Sequence, residues 1–180
     1  MSDRHLFRSA HQALMFAFTF SATQHGTAAA AERQLAEFAR DRYERMPGSG
    51  RGLRGLDGAA QAGMIRRRVE EMPPLHACAL VARFAVLNVF YRQAACSALA
   101  LRARAHVTAP QDPRALALLL RRHFGLQVNL GRLADEYDVT ERTAQRWALE
   151  VRRWARRVEE FAMARIEVQL EEAGIVARAG

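Results

Sequence analysis

The sequence contains no lysine: all 27 of its basic residues are arginines, set against 19 acidic residues. The formal net charge is +8, which favours a polyanionic partner. Phosphate-binding loops built around a lysine are excluded in their usual form. Arginine offers a planar, permanently charged fork that pairs with phosphate and with guanine. A G+C bias in the coding DNA would produce the same composition, so the charge indicates an anionic partner without saying which one.

Cysteine is scarce as well, since only Cys78 and Cys96 occur. We therefore expect no disulfide framework and a reducing, cytoplasmic environment. Structural zinc sites usually contain paired ligands such as C-x-x-C, which this sequence lacks. His76 and Cys78 would lie about 200° apart around a helix and could not hold one ion. We expect both cysteines to be small buried groups, and we expect neither a metal nor a cofactor.

Long apolar runs and catalytic motifs are missing too. No run reaches the roughly 18 apolar residues that cross a bilayer, so no membrane partner is expected. There is no nucleophile elbow and no paired-carboxylate motif. The nucleophiles Ser9, Ser21, Ser49 and Tyr91 have no recognisable supporting groups nearby in the sequence. We expect a protein that is not an enzyme and has no small-molecule substrate.

The apolar residues recur with helical spacing along nearly the whole chain, which predicts an all-α fold. The predicted helices cover residues 5–21, 28–46, 57–72, 75–104 as one helix or two, 113–124, 130–137 and 140 to about 172. The predicted divisions are N-terminal helices at 1–46, a Gly/Arg-rich flexible loop at 47–58, central helices at 59–110, and a helix-turn-helix domain with a long C-terminal helix at 111–180. The loop is interpreted as a plain linker or as an arm that touches nucleic acid through Arg51 and Arg54.

The most informative segment is LGRLADEYDVTERTAQRWAL at 130–149, which is typical of a helix-turn-helix. Its first half places apolar residues on one helix face, and Asp138 with Val139 interrupts that rhythm. Thr140 is then an N-cap for the second helix. Small Ala134 and Ala144 would let the two helices cross closely. The alternative interpretation is an ordinary helical hairpin with a solvated polar face.

The residues expected to point outward from the second helix are of the types that reach base edges, namely arginine, glutamine, glutamate and threonine. The predicted DNA-contacting residues are Thr140, Glu141, Arg142, Gln145, Arg146, Arg153, Arg156 and Arg132. Arg142, Arg146, Arg153 and Arg157 form one helical stripe suited to DNA phosphates. Beyond it, the acidic residues from Glu159 onward change the sign of the charge. We therefore expect double-stranded DNA as a partner and a nucleoid-associated location.

No glycine or proline occurs from 132 to 173, so the second helix can run to about residue 172. Its apolar residues Trp147, Val151, Trp154, Val158 and Phe161 follow a heptad spacing of four and three. This seam predicts that the helix packs back along the N-terminal helices. The alternative is that it presents Trp154 and Phe161 to another protein.

Residues 113–170 resemble the region of sigma factors that reads the upstream promoter element. The resemblance rests on the segment HFGLQVNLGRLADEYDVTERTAQRWALEVRRW and on the V-T-x-R sequence with which the recognition helix begins. Residues 64–84, MIRRRVEEMPPLHACALVARF, are similar to the leading helices of such a module. With GLDGAAQAGM at 55–64 and HQALMFAF near the N-terminus, the chain resembles a phage or prophage Q-type late-gene antitermination protein.

The resemblance implies binding to a late promoter, engagement of RNA polymerase through its sigma factor, and read-through of terminators. It assigns the recognition-helix role to Thr140, Glu141, Arg142, Gln145 and Arg146. Some Q-type proteins carry a cysteine-rich zinc insert, which this chain lacks, since Cys96 is the only cysteine between 85 and 112. The competing interpretations are a conventional promoter-binding repressor or activator, a helical protein-interaction module without DNA binding, and, last, a recombinase-like enzyme.

Overall fold

The computed structural model describes residues 6–24 and 55–177. Within these ranges the chain forms seven α-helices and no β-strand beyond one isolated bridge between Phe7 and Val176. The helices are α1 Ala10–Gln24, α2 Gly55–Glu70, α3 Pro74–Phe84, α4 Val89–Ala103, α5 Pro113–His123, α6 Leu130–Glu136 and α7 Glu141–Glu172. The predicted all-α fold with a long C-terminal helix is confirmed.

Several predicted boundaries need correction. Helix α1 begins at Ala10 rather than at residue 5, because Ser9 caps it: the Ser9 hydroxyl accepts the Gln12 amide at 3.3 Å. Residues 55–58 belong to α2, not to a flexible loop. The predicted helix at 28–46 and the rest of the Gly/Arg-rich segment, with Arg51 and Arg54, lie outside the described residues.

The predicted segment 75–104 forms two helices, separated at residues 85–88. Two short turn hydrogen bonds close this break, from the Val86 amide to the Phe84 carbonyl and from the Asn88 amide to the Ala85 carbonyl. Ala85 and Leu87 are both buried there. No glycine or proline marks the break in the sequence, which is why the apolar pattern predicted one helix or two without deciding between them.

One compact unit comprises the described residues within Met1–Met72, Phe84–Asn88 and Met163–Gly180. Its described core contains Phe7, Leu14, Ile65, Ile166 and Leu170, all less than 2% exposed. The Phe7 amide donates to the Ile175 carbonyl at 3.1 Å, and this hydrogen bond joins the segment before α1 to the segment after α7. The part of α7 from Met163 onward therefore belongs with the N-terminal helices. The seam from Trp147 to Phe161, which predicted this packing, lies instead in the second unit.

The second unit comprises Pro73–Arg83 and Val89–Ala162, and it contains the predicted helix-turn-helix. Helices α4 and α5 pack against each other in it. Arg92 of α4 is only 7% exposed and donates to two carbonyls, those of Ala82 at 3.0 Å and of Phe124. Burial raises the pKa of the neighbouring Cys96 thiol to about 11. Arg92 thus links the C-terminal ends of α3 and α5 by hydrogen bonds, and the Cys96 thiol beside it stays protonated.

None of the helices in the described ranges has both the length and the apolar character that a membrane crossing needs. Among the same residues, no three side chains of histidine, cysteine, aspartate or glutamate are grouped so that they could hold a metal ion. Cys78 is half-buried, and burial raises the pKa of its thiol as well.

Candidate nucleic-acid interface

Helix α6 begins where the sequence places it, because Asn129 caps it. The Asn129 side-chain oxygen accepts the amides of Gly131 at 2.8 Å and Arg132 at 3.2 Å. Leu133 and Ala134 point into the core, at 2% and 3% exposure. Arg132 lies on the exposed side. The Asn129 cap and the burial of Leu133 and Ala134 therefore fix the short helix, and Arg132 faces solvent.

The turn after α6 is a Schellman motif. The Val139 amide donates to the Ala134 carbonyl at 3.0 Å, and the Asp138 amide donates to the Asp135 carbonyl at 3.3 Å. Asp138 has a φ of +48°, the left-handed conformation this motif requires. The same motif ends α5, where Gly125 takes the left-handed position with a φ of +86°. The turn predicted at Asp138 and Val139 is thus a closed hydrogen-bonded turn rather than an open loop.

Thr140 caps α7, as predicted. Its hydroxyl accepts the Thr143 amide at 3.3 Å, and its carbonyl accepts the Ala144 amide at 3.1 Å. The same hydroxyl lies 3.0 Å from the Thr143 hydroxyl. The Thr140 side chain is exposed, but its oxygen is already engaged in fixing the start of the helix.

A hydrogen bond and an aromatic contact tie the turn to its neighbours. The Tyr137 hydroxyl donates to Asp112 Oδ2 at 3.0 Å, while Asp112 Oδ1 accepts the Arg114 amide and caps α5. The Tyr137 ring meets the Trp147 ring edge-on, with centroids 6.5 Å apart. The backbone hydrogen bond from Arg114, followed by that from Tyr137, lowers the pKa of Asp112. A single carboxylate therefore links the start of α5 to the turn that precedes α7.

The predicted DNA-contacting residues all lie on the surface. The exposed ones are Thr140, Glu141, Arg142, Gln145, Arg146, Arg153, Arg156 and Arg132. On α7, six exposed arginines form what we call the arginine face: Arg142, Arg146, Arg152, Arg153, Arg156 and Arg157. At 100° per residue these six fall within about 140° of the helix circumference. The only acidic residue between Arg142 and Arg157 is Glu150, which is half-buried and accepts the Thr108 amide.

The arginine side chains have few competing partners. Arg146 Nη2 donates to the Thr143 hydroxyl at 3.2 Å, and Arg156 forms an exposed pair with Glu160 at 3.3 Å. Exposed pairs four residues apart contribute only about 0.3–0.5 kcal/mol, so a phosphate can replace Glu160. Within the described ranges, Arg142 and Arg153 make no side-chain hydrogen bond or ion pair.

The opposite side of α7 is core. Ala144, Val151 and Ala155 are at most 1% exposed, and Trp154 is 5% exposed and stacks on His106 with centroids 6.1 Å apart. The predicted heptad seam holds from Val151 to Val158 and then fails.

Phe161 is 68% exposed, and the buried positions that follow are Ala162, Ile166 and Leu170. The physical reason is that a straight helix has 3.6 residues per turn and drifts about 20° per heptad away from a 3.5-residue seam. Trp154 is therefore core, while Phe161 faces solvent.

The middle of α7 is fixed by a charge cluster that the sequence pattern does not reveal. Glu159 accepts from both Arg83 of α3 and His123 of α5, the latter at 3.1 Å. Burial alone would raise the pKa of Glu159, but the hydrogen bonds from His123 and Arg83 outweigh it and bring the pKa to about 2. The Arg83 guanidinium also lies over the Phe124 ring, 5.6 Å from its centre.

The sequence predicted that the charge changes sign from Glu159 onward, and this cluster moves that point on the exposed surface to Glu160. Glu159 is 15% exposed and its charge is paired, whereas Glu160 is 65% exposed. Glu160 is therefore the residue at which the arginine face meets an exposed negative charge. Sequence spacing gave no signal for Glu159, because its partners come from positions 76 and 36 residues away.

Comparison with protein-family models, with curated proteins and with solved structures finds no match to this chain.

Proposed function

We propose that the protein is a sequence-specific transcription regulator that binds double-stranded DNA. The observation that carries the proposal is the arginine face, six exposed arginines on one side of a helix that begins at a capped, hydrogen-bonded turn. The other side of the same helix is buried, so the helix orientation is fixed and the cations face outward. A rigid helix with this charge distribution is what the major groove and its flanking phosphates accept.

The exposed side chains divide by position along α7. Arg142, Gln145 and Arg146 lie in the first two turns, from which a recognition helix reaches base edges. Arg153 and Arg156 lie about 10–15 Å beyond Arg146 along the helix, where the phosphates that border the groove are expected. We expect Arg132 of α6, which is exposed, to contact the DNA backbone that the first helix of such a motif crosses. Base contacts would supply sequence choice, and phosphate contacts most of the affinity.

The test is selection from a random duplex library followed by titration of the recovered duplex. We expect one preferred sequence, bound more tightly than a scrambled duplex, with an affinity that falls steeply as salt concentration rises. A protein that recovers no preferred sequence, or whose DNA affinity does not change with salt, would contradict the proposal.

The finer proposal is that the regulator acts on RNA polymerase and its sigma factor as a Q-type antiterminator of phage late genes, inside a bacterial host. It is supported by the sequence resemblance and by the exposed Phe161, which offers an aromatic contact for a protein partner. The experiment is transcription in vitro with sigma-containing polymerase on a template with a promoter and a terminator. Read-through should rise when the protein is added, and it should not rise on a template whose selected binding site is scrambled.

Two other outcomes would redirect the proposal. A stable dimer at low concentration and a palindromic selected site would favour a conventional repressor or activator. Capture of polymerase without DNA, insensitive to salt and abolished by Phe161→Ala, would favour a helical protein-interaction module. The exposed Phe161 is the observation that keeps this second candidate open.

A further inference from the structure

Leu149 is an apolar side chain in the middle of the arginine face. It is 48% exposed, and between Glu141 and Glu160 it is the only large hydrophobic residue that the structure leaves exposed. Its helix neighbours one turn earlier are Gln145 and Arg146, and one turn later Arg152 and Arg153. The apolar core of the unit lies on the opposite side of the helix. Leu149 therefore does not belong to the core, and polar side chains surround it.

Leu149 lies one turn beyond Arg146, about 5 Å along the helix, between the residues proposed to read bases and those proposed to contact phosphates. It is therefore close enough to Arg146 to reach the edge of a neighbouring base pair in the same major groove. The thymine methyl group is the one apolar feature on the base edges of that groove. A leucine held among arginines can cover this methyl group while the arginines pair with phosphates and guanines.

We propose that Leu149 determines specificity by packing against the 5-methyl group of a thymine in the bound duplex. The inference rests on the proposed function, because it needs the arginine face to lie in a major groove. The surrounding cations argue against an apolar protein partner, since docking one here would remove arginines from water without pairing them. A duplex pairs those cations and offers Leu149 an apolar contact at the same time.

The test uses the duplex recovered by library selection, with each thymine replaced in turn by deoxyuridine, which removes only the methyl group. We expect the wild-type protein to lose about fourfold in affinity at one or two thymines, since burying one methyl group contributes about 0.8 kcal/mol. Leu149→Ala should bind the unmodified duplex more weakly by at least this factor, and it should no longer distinguish thymine from uracil at those positions. Leu101→Ala is the matched control, a 63% exposed leucine on α4, and it should behave as wild type.

The possible outcomes of this test distinguish failure of the thymine contact from failure of the proposed DNA binding. If wild-type protein binds its selected duplex and no uracil replacement changes the affinity, the thymine contact is wrong and DNA binding stands. The same holds if Leu149→Ala keeps the wild-type sensitivity to uracil. If selection recovers no preferred duplex, the proposed function fails and the inference fails with it. Thermal unfolding of both variants shows whether the fold is intact.

Discussion

Asp138 closes helix α6 by donating its backbone N–H to the carbonyl of Asp135 across 3.3 Å, and it does so in the left-handed conformation. The equivalent position at the end of α5 is glycine. An L-residue with a Cβ atom is strained there, and aspartate is among the few that tolerate it. The turn between the two helices of the proposed DNA-binding motif therefore contains local backbone strain.

Replacing Asp138 with glycine should relieve this strain. We expect Asp138→Gly to raise the free energy of unfolding by up to about 1 kcal/mol, since the strain removed exceeds the entropy that glycine adds to the unfolded chain. Urea unfolding followed by circular dichroism measures the change. Asp135→Gly is the matched control: it removes the same charge but places glycine inside the helix, and it should destabilise by roughly 0.3 kcal/mol, because glycine is a slightly poorer helix former than aspartate. Equal destabilisation by both substitutions would show that Asp138 is not strained.

The acid sensitivity of the fold should depend on Glu159. Its folded-state pKa is about 2 against an ordinary value of 4.5, so its stabilisation is complete above pH 4.5 and is lost as the pH falls towards 2. The contribution is about 2 kcal/mol, less than the full shift would give because the carboxylate is partly solvated. The free energy of unfolding of the wild type and of Glu159→Gln, measured from pH 7 to pH 2, should converge at the acid end.

Glu160→Gln is the control for that measurement, because Glu160 is exposed and its only described ion pair is with Arg156. We expect Glu160→Gln to follow the wild-type pH curve within about 0.5 kcal/mol. If Glu159→Gln instead parallels the wild type at all pH values, the carboxylate of Glu159 is not what titrates in this range.

Local signals in the sequence predicted the two helices of the candidate site and the Thr140 cap, but not the Asn129 and Asp112 caps. Thr140 as N-cap, the interruption at Asp138 and the outward arginines all depend on residues within one or two turns, where side-chain type and spacing decide the conformation. Phe161 was wrongly assigned to the buried seam because a heptad pattern assumes a supercoil that this helix does not form. The contacts of Glu159 and Arg92 could not be predicted, because they join residues brought together only by tertiary packing.

Arg156 should contribute to DNA affinity without contributing to sequence choice. It lies beyond the first two turns of α7, and its present partner Glu160 is weakly held. We expect Arg156→Ala to weaken binding to the selected and scrambled duplexes by the same factor, and to reduce the slope of log affinity against log salt by about one unit. Arg102→Ala, which removes an exposed arginine from α4, is the control for the loss of net charge and should leave the slope unchanged. A change in base preference would show that Arg156 reads bases.

Arg146 should do the opposite and set base preference. Its guanidinium is exposed and is oriented by a 3.2 Å hydrogen bond to the Thr143 hydroxyl, on the turn that Thr140 caps. An arginine aligned in this way can make the paired contact to guanine O6 and N7, which contributes about 1–3 kcal/mol of discrimination. We expect Arg146→Ala to weaken the selected duplex by that amount, to change the scrambled duplex much less, and to relax the preference at one base pair when selection is repeated. Thr143→Val, which removes the orienting hydroxyl but keeps the arginine, should give a smaller loss in the same direction. If Arg146→Ala selects the same sequence with the same affinity, Arg146 does not contact bases. The base contacts would then be assigned to Arg142 and Gln145.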